Sequence, residues 1–221
     1  MKYVVTLCVL LALTAGLLFV ERTGQHSDAP ITGLPWQIER LADGSTRVFG
    51  ITPGTTSLGE AARRLGDDME LAIIAAPGER GSLEAFYRYY TVGPITGSLI
   101  LVLDVDAAVL AGLRGRAQQD AGTRRYLLHP DDLPVARAAP VRVITFMPSL
   151  DLDADIARAR FGEPAEVVML DEQQHWLYPD IGLDLLLSAR GRDLLQYLSP
   201  RAFDAHRERV RQSATAAAGG G

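Results

Sequence analysis

The fold is decided by residues 161–197, FGEPAEVVMLDEQQHWLYPDIGLDLLLSARGRDLLQY. The rest of the chain is expected to repeat the same pattern. The segment Gly162-Glu163-Pro164 ends a helix, because glycine tolerates the left-handed conformation after a helix and proline cannot continue the helical hydrogen bonds. Short apolar runs separated by turn-forming residues then predict an antiparallel meander with strands at 167–170, 175–178, 183–187 and 194–197. In the third run every second residue is leucine, which is the period of a strand with one buried face.

A fainter version of this unit comes earlier in the chain. Residues 57–66 align with residues 153–162, and the strand that follows then aligns as well, with Glu70 on Glu166. Each half reads as a strand, a proline-containing turn, a helix ended by glycine, and further strands. The pattern predicts an α+β fold made of two related modules, each a short helical layer packed on a small antiparallel sheet. A chance likeness between two ordinary helix–strand stretches is the alternative.

An apolar run near the N-terminus, residues 3–20, stands between Lys2 and Glu21-Arg22. Its length of roughly 18 residues can span a bilayer and exceeds the apolar core of about 7–15 residues in a signal peptide. The positive N-terminus is expected to stay in the cytoplasm, which places the remainder outside it. The sequence therefore predicts a signal anchor at residues 1–22; cleavage near Ala15 and a buried core helix are the alternatives.

Turn-forming and polar segments divide the rest of the chain. The predicted order is a linker (23–34), a first module (35–120), a connector (121–140), a second module (141–212) and a disordered tail (213–221). Within the first module, Asp43-Gly44 predicts a hairpin turn. Ser57 and Glu60 have the spacing of a helix capping box. A final helix is predicted from Pro200 to Arg211, with proline in its first turn.

Composition excludes several classes of function. A net charge of −5 argues against a broad nucleic-acid surface. The single cysteine, Cys8, excludes an intrachain disulfide and a cysteine metal cluster. The string from Asp151 to Asp155 copies the start of a calcium loop, but Ile156 and Gly162 stand where that loop needs glycine and glutamate, so helix capping explains these acids better. The histidines lack zinc-site spacing, and neither a cofactor nor a metal is expected.

Two motifs resemble a known family. Residues 51–56, ITPGTT, followed by a helix that ends at Leu65-Gly66, are similar to the opening motif of small SmpA/OmlA-type envelope lipoproteins. Phe161-Gly162-x-Pro164 and Trp176-x-Tyr178 are similar to a later part of the same pattern. The wider group includes modules like the β-lactamase inhibitor protein. The resemblance implies a helical layer on a short antiparallel sheet, tandem copies, and a binding role outside the cytoplasm without catalytic residues.

The chain departs from the lipoprotein members of that group. Cys8 lies inside the apolar run rather than after it, so the chain lacks a lipobox. We therefore expect a protein held in the bacterial inner membrane by one span, with its globular part in the periplasm. Its expected partners are the membrane and an envelope protein or other envelope component, and no nucleic acid.

Aromatic residues supply the candidate partner-binding positions. The run from Leu83 to Thr91 holds more aromatics than one buried face requires, and aromatics beside arginine are typical of interaction surfaces. If the strand alternates regularly, Phe86 and Arg88 lie opposite Tyr87 and Tyr89. Trp176 and Tyr178 share one face of a later strand, where core packing is the alternative to a binding surface. The candidate partner-binding set is Phe86, Tyr87, Arg88, Tyr89, Tyr90, Trp176 and Tyr178.

Two functions from different classes follow. The first is a membrane-anchored, non-enzymatic envelope module that binds a protein or other envelope component. The second is a hydrolase or transferase that uses His175 with nearby acids, of which Asp171 and Glu172 are closest in sequence. A histidine on the outer face of a strand is the structural alternative for His175. A perturbed acid or histidine in a concave pocket favours the enzyme.

Overall fold

The computed structural model describes residues 31–120 and 123–219. These residues belong almost entirely to one compact unit, which begins at Thr32. The predicted signal anchor at 1–22 and most of the predicted linker lie outside the described residues. Within the described ranges, no helix is long and apolar enough to cross a membrane.

Five helices separate groups of strands along the described chain. The helices are α1 (Leu58–Leu65), α2 (Ala107–Arg116), α3 (Leu133–Ala138), α4 (Ala154–Phe161) and α5 (Pro200–Gly219), with short 3-10 helices at Pro130–Asp132 and Pro179–Ile181. The strands are β1 (Glu39–Arg40), β2 (Thr46–Arg47), β3 (Glu70–Ile74), β4 (Ser82–Val92), β5 (Ile95–Leu103), β6 (Gln118–Gln119), β7 (Arg125–Leu127), β8 (Val141–Pro148), β9 (Glu166–Leu170), β10 (Gln173–Tyr178), β11 (Leu183–Ser188) and β12 (Leu194–Leu198).

One antiparallel sheet of ten strands organises the molecule. Its order is β6-β7-β3-β4-β5-β8-β12-β11-β10-β9, while β1 and β2 form a separate hairpin. The predicted first and second modules meet where β5 pairs with β8. The predicted α+β class is confirmed, and both halves contribute strands to one continuous sheet.

The two faces of the sheet are covered differently. Strand residues that alternate inward pack against α1–α4 in the main core, and we call this side the front face. In β10, for example, Trp176 and Tyr178 belong to the front core, whereas Leu177 between them packs on the opposite side with Leu198 and Phe203 of α5. The opposite side, the back face, is thus covered by α5 over one half of the sheet. Because successive strand residues point to opposite faces, Phe86, Ile100 and Val102 lie on the back face as well.

The two helices aligned in sequence have matching local structure. Both α1 and α4 have eight residues, and each is followed by a five-residue strand after four intervening residues. Ser57 makes the predicted capping box with Glu60, and Asp153 accepts a hydrogen bond from the Asp155 amide at the start of α4. The closing glycines, Gly66 and Gly162, have φ of 97° and 81°. The predicted glycine stops are therefore confirmed.

A tyrosine from the second following strand bonds to each closing glycine. The hydroxyl of Tyr87 donates to the Gly66 carbonyl at 3.1 Å, and the hydroxyl of Tyr178 donates to the Gly162 carbonyl at 3.0 Å. Burial raises the pKa of both tyrosines to about 12, so both hydroxyls remain donors at neutral pH. The two halves use the same device to fix the end of a helix against the sheet.

The C-terminal tail differs from its prediction. Residues predicted as a disordered tail, 213–221, continue α5 as far as Gly219. The segment is rich in alanine, which has the highest helix propensity, and it extends an existing helix, so no new nucleus is required. The prediction of disorder was wrong for residues 213–219.

Candidate functional site

A groove of about 660 Å³ runs between α5 and the back face of the sheet. Its apolar wall consists of Val102, Val143, Leu170, Leu198, Ala202 and Val210. Its polar and charged lining includes Asp104, Arg142, His175, Gln196, His206 and Arg209. On the helix side it extends from Ser199 to Ser213, about 20 Å at a rise of roughly 1.5 Å per residue. This volume and mixed lining are typical of ligand sites.

A buried aspartate joins two histidines that line the groove. Asp184 of β11 is completely buried, because it alternates with leucines that face the front core and α5 covers the back face above it. Its carboxylate lies 2.9 Å from Nδ1 of His175 on the neighbouring strand and 2.7 Å from Nε2 of His206 on α5. The three side chains therefore tie the final helix to the sheet.

The hydrogen bonds decide the charge of Asp184. Burial by itself raises the pKa of its carboxyl group. The hydrogen bonds from His175 and His206, together with their positive charge when protonated, lower the pKa by more than burial raises it, so the net shift is downward. Asp184 is thus a carboxylate at neutral pH. Since a carboxylate can only accept, His175 donates from Nδ1 and His206 donates from Nε2.

The second ring nitrogen of His175 has no partner. His175 is 7% exposed, and its Nε2 is buried without a hydrogen bond in the described part of the chain. With the proton of the neutral ring held at Nδ1, Nε2 carries a lone pair and acts as an acceptor or a base. A buried polar atom without a partner is costly, roughly 1–3 kcal/mol, and such atoms often mark a functional position. His175 itself borders the groove, so a bound ligand is a natural partner for this atom.

The sequence identified His175 but not the acids and partners around it. The alternative of an outer strand face is wrong for His175, because α5 covers it, and Asp171 and Glu172 lie exposed on the β9–β10 turn. Two other side chains complete this cluster: Asp184, which accepts from Nδ1 of His175, and His206, which donates to the same carboxylate. One signal was available: Asp184 is the one charged residue in the apolar strand Leu183–Ser188, which is unusual unless the charge is paired. His206 could not be found this way, because only the packing of α5 brings it near.

The aromatic run in β4 is divided by an irregularity in the strand. The pairing of β4 with β5 shifts register between Tyr87 and Tyr90. As a result Tyr90 joins Tyr87 on the front face, while Tyr89 is 82% exposed. The expectation that Tyr87 and Tyr89 share a face was wrong, because the bulge breaks the two-residue period.

Phe86 and Arg88 lie on the back face, as the alternation predicts. Arg88 is exposed, forms an ion pair with Glu70 at 2.8 Å and stacks over the Phe86 ring at 5.6 Å. The hydrogen bonds from Arg88 and Arg125 lower the pKa of Glu70. Phe86 and Arg88 therefore remain available to a partner on the part of the back face that α5 does not cover, and the neighbouring Tyr89 is also exposed.

The other aromatic candidates are part of the front core. Tyr87, Trp176 and Tyr178 are between 2% and 6% exposed, so they cannot contact a partner of the folded protein. Trp176 packs beneath the Arg158 guanidinium at 4.7 Å, and Tyr178 holds the end of α4. These three residues are therefore not part of a partner-binding surface. Their role is core packing, the alternative given for Trp176 and Tyr178.

Among the described residues, no group of three or more histidine, cysteine or acidic side chains is arranged to hold a metal ion. His175 and His206 use the nitrogens nearest Asp184 for hydrogen bonds to it.

Comparison with known proteins gives no match to any family model, curated protein or solved structure.

Proposed function

We propose that this protein is a non-enzymatic binding module of the bacterial envelope, held at the inner membrane by residues 1–22. Its ligand, an envelope protein or another envelope component, occupies the groove beside α5. The observation that supports this most is the groove itself: about 660 Å³, with a continuous apolar wall and a few polar groups. Such a lining gives affinity through apolar burial and orientation through hydrogen bonds and charge.

The arrangement of the back face supports the same function. The groove lies beside the open area that carries Phe86, Arg88 and Tyr89, so a macromolecular ligand can contact both. Arg88 pairs with Glu70 at the surface, and exposed pairs of this kind are weak, so a partner can compete for either charge. The groove is the anchoring part of this surface and the aromatic area its extension.

We further propose that the two halves arose as tandem copies of one module. The matching lengths of α1 and α4, their capped starts and their glycine ends held by a tyrosine support this relationship. In this interpretation the second copy acquired α5, which created the groove. The similarity to SmpA/OmlA-type modules belongs to the same proposal.

Site-specific photocrosslinking tests the binding function. A photoreactive amino acid replaces Ala202, which lines the groove and is exposed, in the full chain expressed in cells. Ala205, exposed on the same helix but outside the groove lining, is the matched control position. We expect a discrete adduct from position 202 that is absent from position 205 and disappears when Gln196→Trp fills the groove. Identical adducts from both positions, or none from either, would contradict a ligand in the groove.

A second candidate function is hydrolysis or group transfer. The pairing of Asp184 with Nδ1 of His175 favours it, because this arrangement leaves a basic lone pair on Nε2 beside the groove. His175 would then remove a proton from a water or hydroxyl nucleophile. Activated ester and phosphoester substrates provide the test: turnover by the natural chain that His175→Gln abolishes, with the fold retained, would replace the binding function by this one.

A further inference from the structure

Positive charge is concentrated at one end of the groove. Arg142 lines this end, and the pairing of Val143 with Leu198 brings it beside Ser199, where α5 begins. No carboxylate is ion-paired with Arg142 within the described residues. The first turn of a long helix adds positive partial charge, which favours an anion.

The same end contains one opposing charge. The exposed carboxylate of Asp104 lines the groove near Arg142. A smaller pocket of about 80 Å³ shares Ser82, Asp104 and Arg142 with the groove and adds Arg80. Two guanidinium groups and a helix N-terminus thus oppose one carboxylate, and the net charge of this end is positive.

The acceptor atom lies further along the helix. Asp184 positions His175 and His206 together, and His206 is seven residues beyond Ser199, about 10 Å along α5. Side chains of Val143, Leu198 and Ala202 form the apolar wall of the groove near its charged end. Nε2 of neutral His175 can only accept, so its complement is a hydroxyl or amine.

We propose that the groove binds an elongated amphiphile with an anionic group at Arg142 on β8 and a hydroxyl or amine donor at Nε2 of His175 on β10, three strands away across the sheet. The apolar part of the ligand covers the wall between these two points. This inference rests on the proposed binding function and specifies its ligand class. The donor removes the penalty of the unpartnered Nε2, and the anion replaces the missing partner of Arg142.

Calorimetric titration of the full chain in lipid nanodiscs tests this ligand class with defined probes. The probes are ω-hydroxydecanoate, which has both polar ends, decanoate, which lacks the donor, and decanediol, which lacks the anion. We expect ω-hydroxydecanoate to bind about fivefold or more tightly than decanoate, because the hydroxyl satisfies a buried acceptor. Uptake of a probe by the lipid is the same for every protein variant, so differences between variants report the groove.

Protein variants assign each end of the probe. Arg142→Gln should weaken binding of both carboxylates by about fivefold or more and leave decanediol unchanged, since Arg142 is exposed and does not support the fold. Arg192→Gln, an exposed arginine outside the groove lining, is the matched control. Gln196→Trp, which fills the groove, should abolish binding of all three probes.

Specific results would overturn the inference. Equal affinity for decanoate and ω-hydroxydecanoate would refute a donor at His175, and no effect of Arg142→Gln would refute the anion site. If no probe binds while photocrosslinking from Ala202 still gives an adduct, the ligand class is wrong and the binding function stands. Loss of both signals would remove both.

Discussion

At the scale of single residues, Asp184 has the largest consequences. Its charged side chain is completely buried in a strand of leucines. This burial is tolerated only because His175 and His206 each donate a hydrogen bond to the carboxylate. The same hydrogen bonds set the tautomer of His175 and therefore the chemistry offered to the groove. The same carboxylate thus holds α5 on the sheet and fixes which nitrogen of His175 carries the proton.

Replacing this carboxylate should destabilise the fold. We expect Asp184→Asn to lower the free energy of unfolding by about 2 kcal/mol or more, because an amide accepts more weakly and brings donors that face two N–H groups. Asp180→Asn, an exposed acid in the turn before β11, is the control and should change little. Thermal or urea unfolding of the full chain measures both.

The effect of pH on this difference follows from the direction of the pKa shift. The pKa of Asp184 is lower in the folded state than its ordinary value of 3.8. The stability that Asp184 contributes is therefore fully present above that value and is lost as the pH falls below it toward the folded pKa. The gap between the natural chain and Asp184→Asn should narrow only below about pH 4. A gap that already narrows between pH 7 and pH 5 would contradict an ionised Asp184.

At the scale of elements, the ends of α1 and α4 position the helical layer on the sheet. Each end uses a glycine with positive φ and a tyrosine hydroxyl from a nearby strand. The glycine lets the chain reverse, and the tyrosine satisfies a carbonyl that the helix leaves unpaired. The direction in which β3 and β9 leave their helices depends on these joints.

Substitutions at Gly162 should separate backbone conformation from side-chain space. A Cβ at this position would contact nothing within 4 Å, so any cost of a substitution comes from its φ of 81°. We expect Gly162→Val and Gly162→Asn each to cost on the order of 1–3 kcal/mol, because a φ of 81° with a ψ of −169° is a conformation that essentially only glycine adopts. Melting temperatures measure both variants. Melting temperatures equal to that of the natural chain would show that Gly162 does not need this conformation.

At the scale of the whole molecule, the continuous sheet joins both halves, and α5 covers only one half of its back face. The groove exists because of this asymmetry. The last helix packs on the back face of one half of the sheet, and the groove lies along the helix where this packing stops. A second helix on the back face of β4 and β5 would close the groove. The groove on which the proposed binding function rests is therefore a property of the complete sheet and α5.

Membrane topology is tested on the whole chain. A reporter that is active only outside the cytoplasm, fused after Gly221, should be active, because Lys2 and the apolar run orient the N-terminus inward. Deletion of residues 1–22 should release the protein from the membrane fraction, since the described residues contain no other candidate span. A fully active cytoplasm-only reporter at the same junction would contradict the predicted orientation.

The sequence alone determined the local structure. Capping residues, glycine stops and alternating leucines depend on near neighbours, so α1, α4 and the β9–β12 meander were predicted with nearly their observed bounds. The aromatic faces of β4 were predicted less well, because the shift between Tyr87 and Tyr90 depends on how β5 pairs. Periodicity fails wherever a partner strand changes the register.

Only the tertiary structure decided the candidate site. His175, Asp184 and His206 belong to three elements, and their contact depends on strand register and on the path of α5 across the back face. The burial of Trp176 and Tyr178 also depends on the tertiary structure. Alternation shows that the two residues share a face of the strand, but not which face is covered. A sequence specifies hydrogen-bonding capacity residue by residue. Which groups become partners, and which nitrogen is left unpartnered beside a groove, depends on contacts between distant segments.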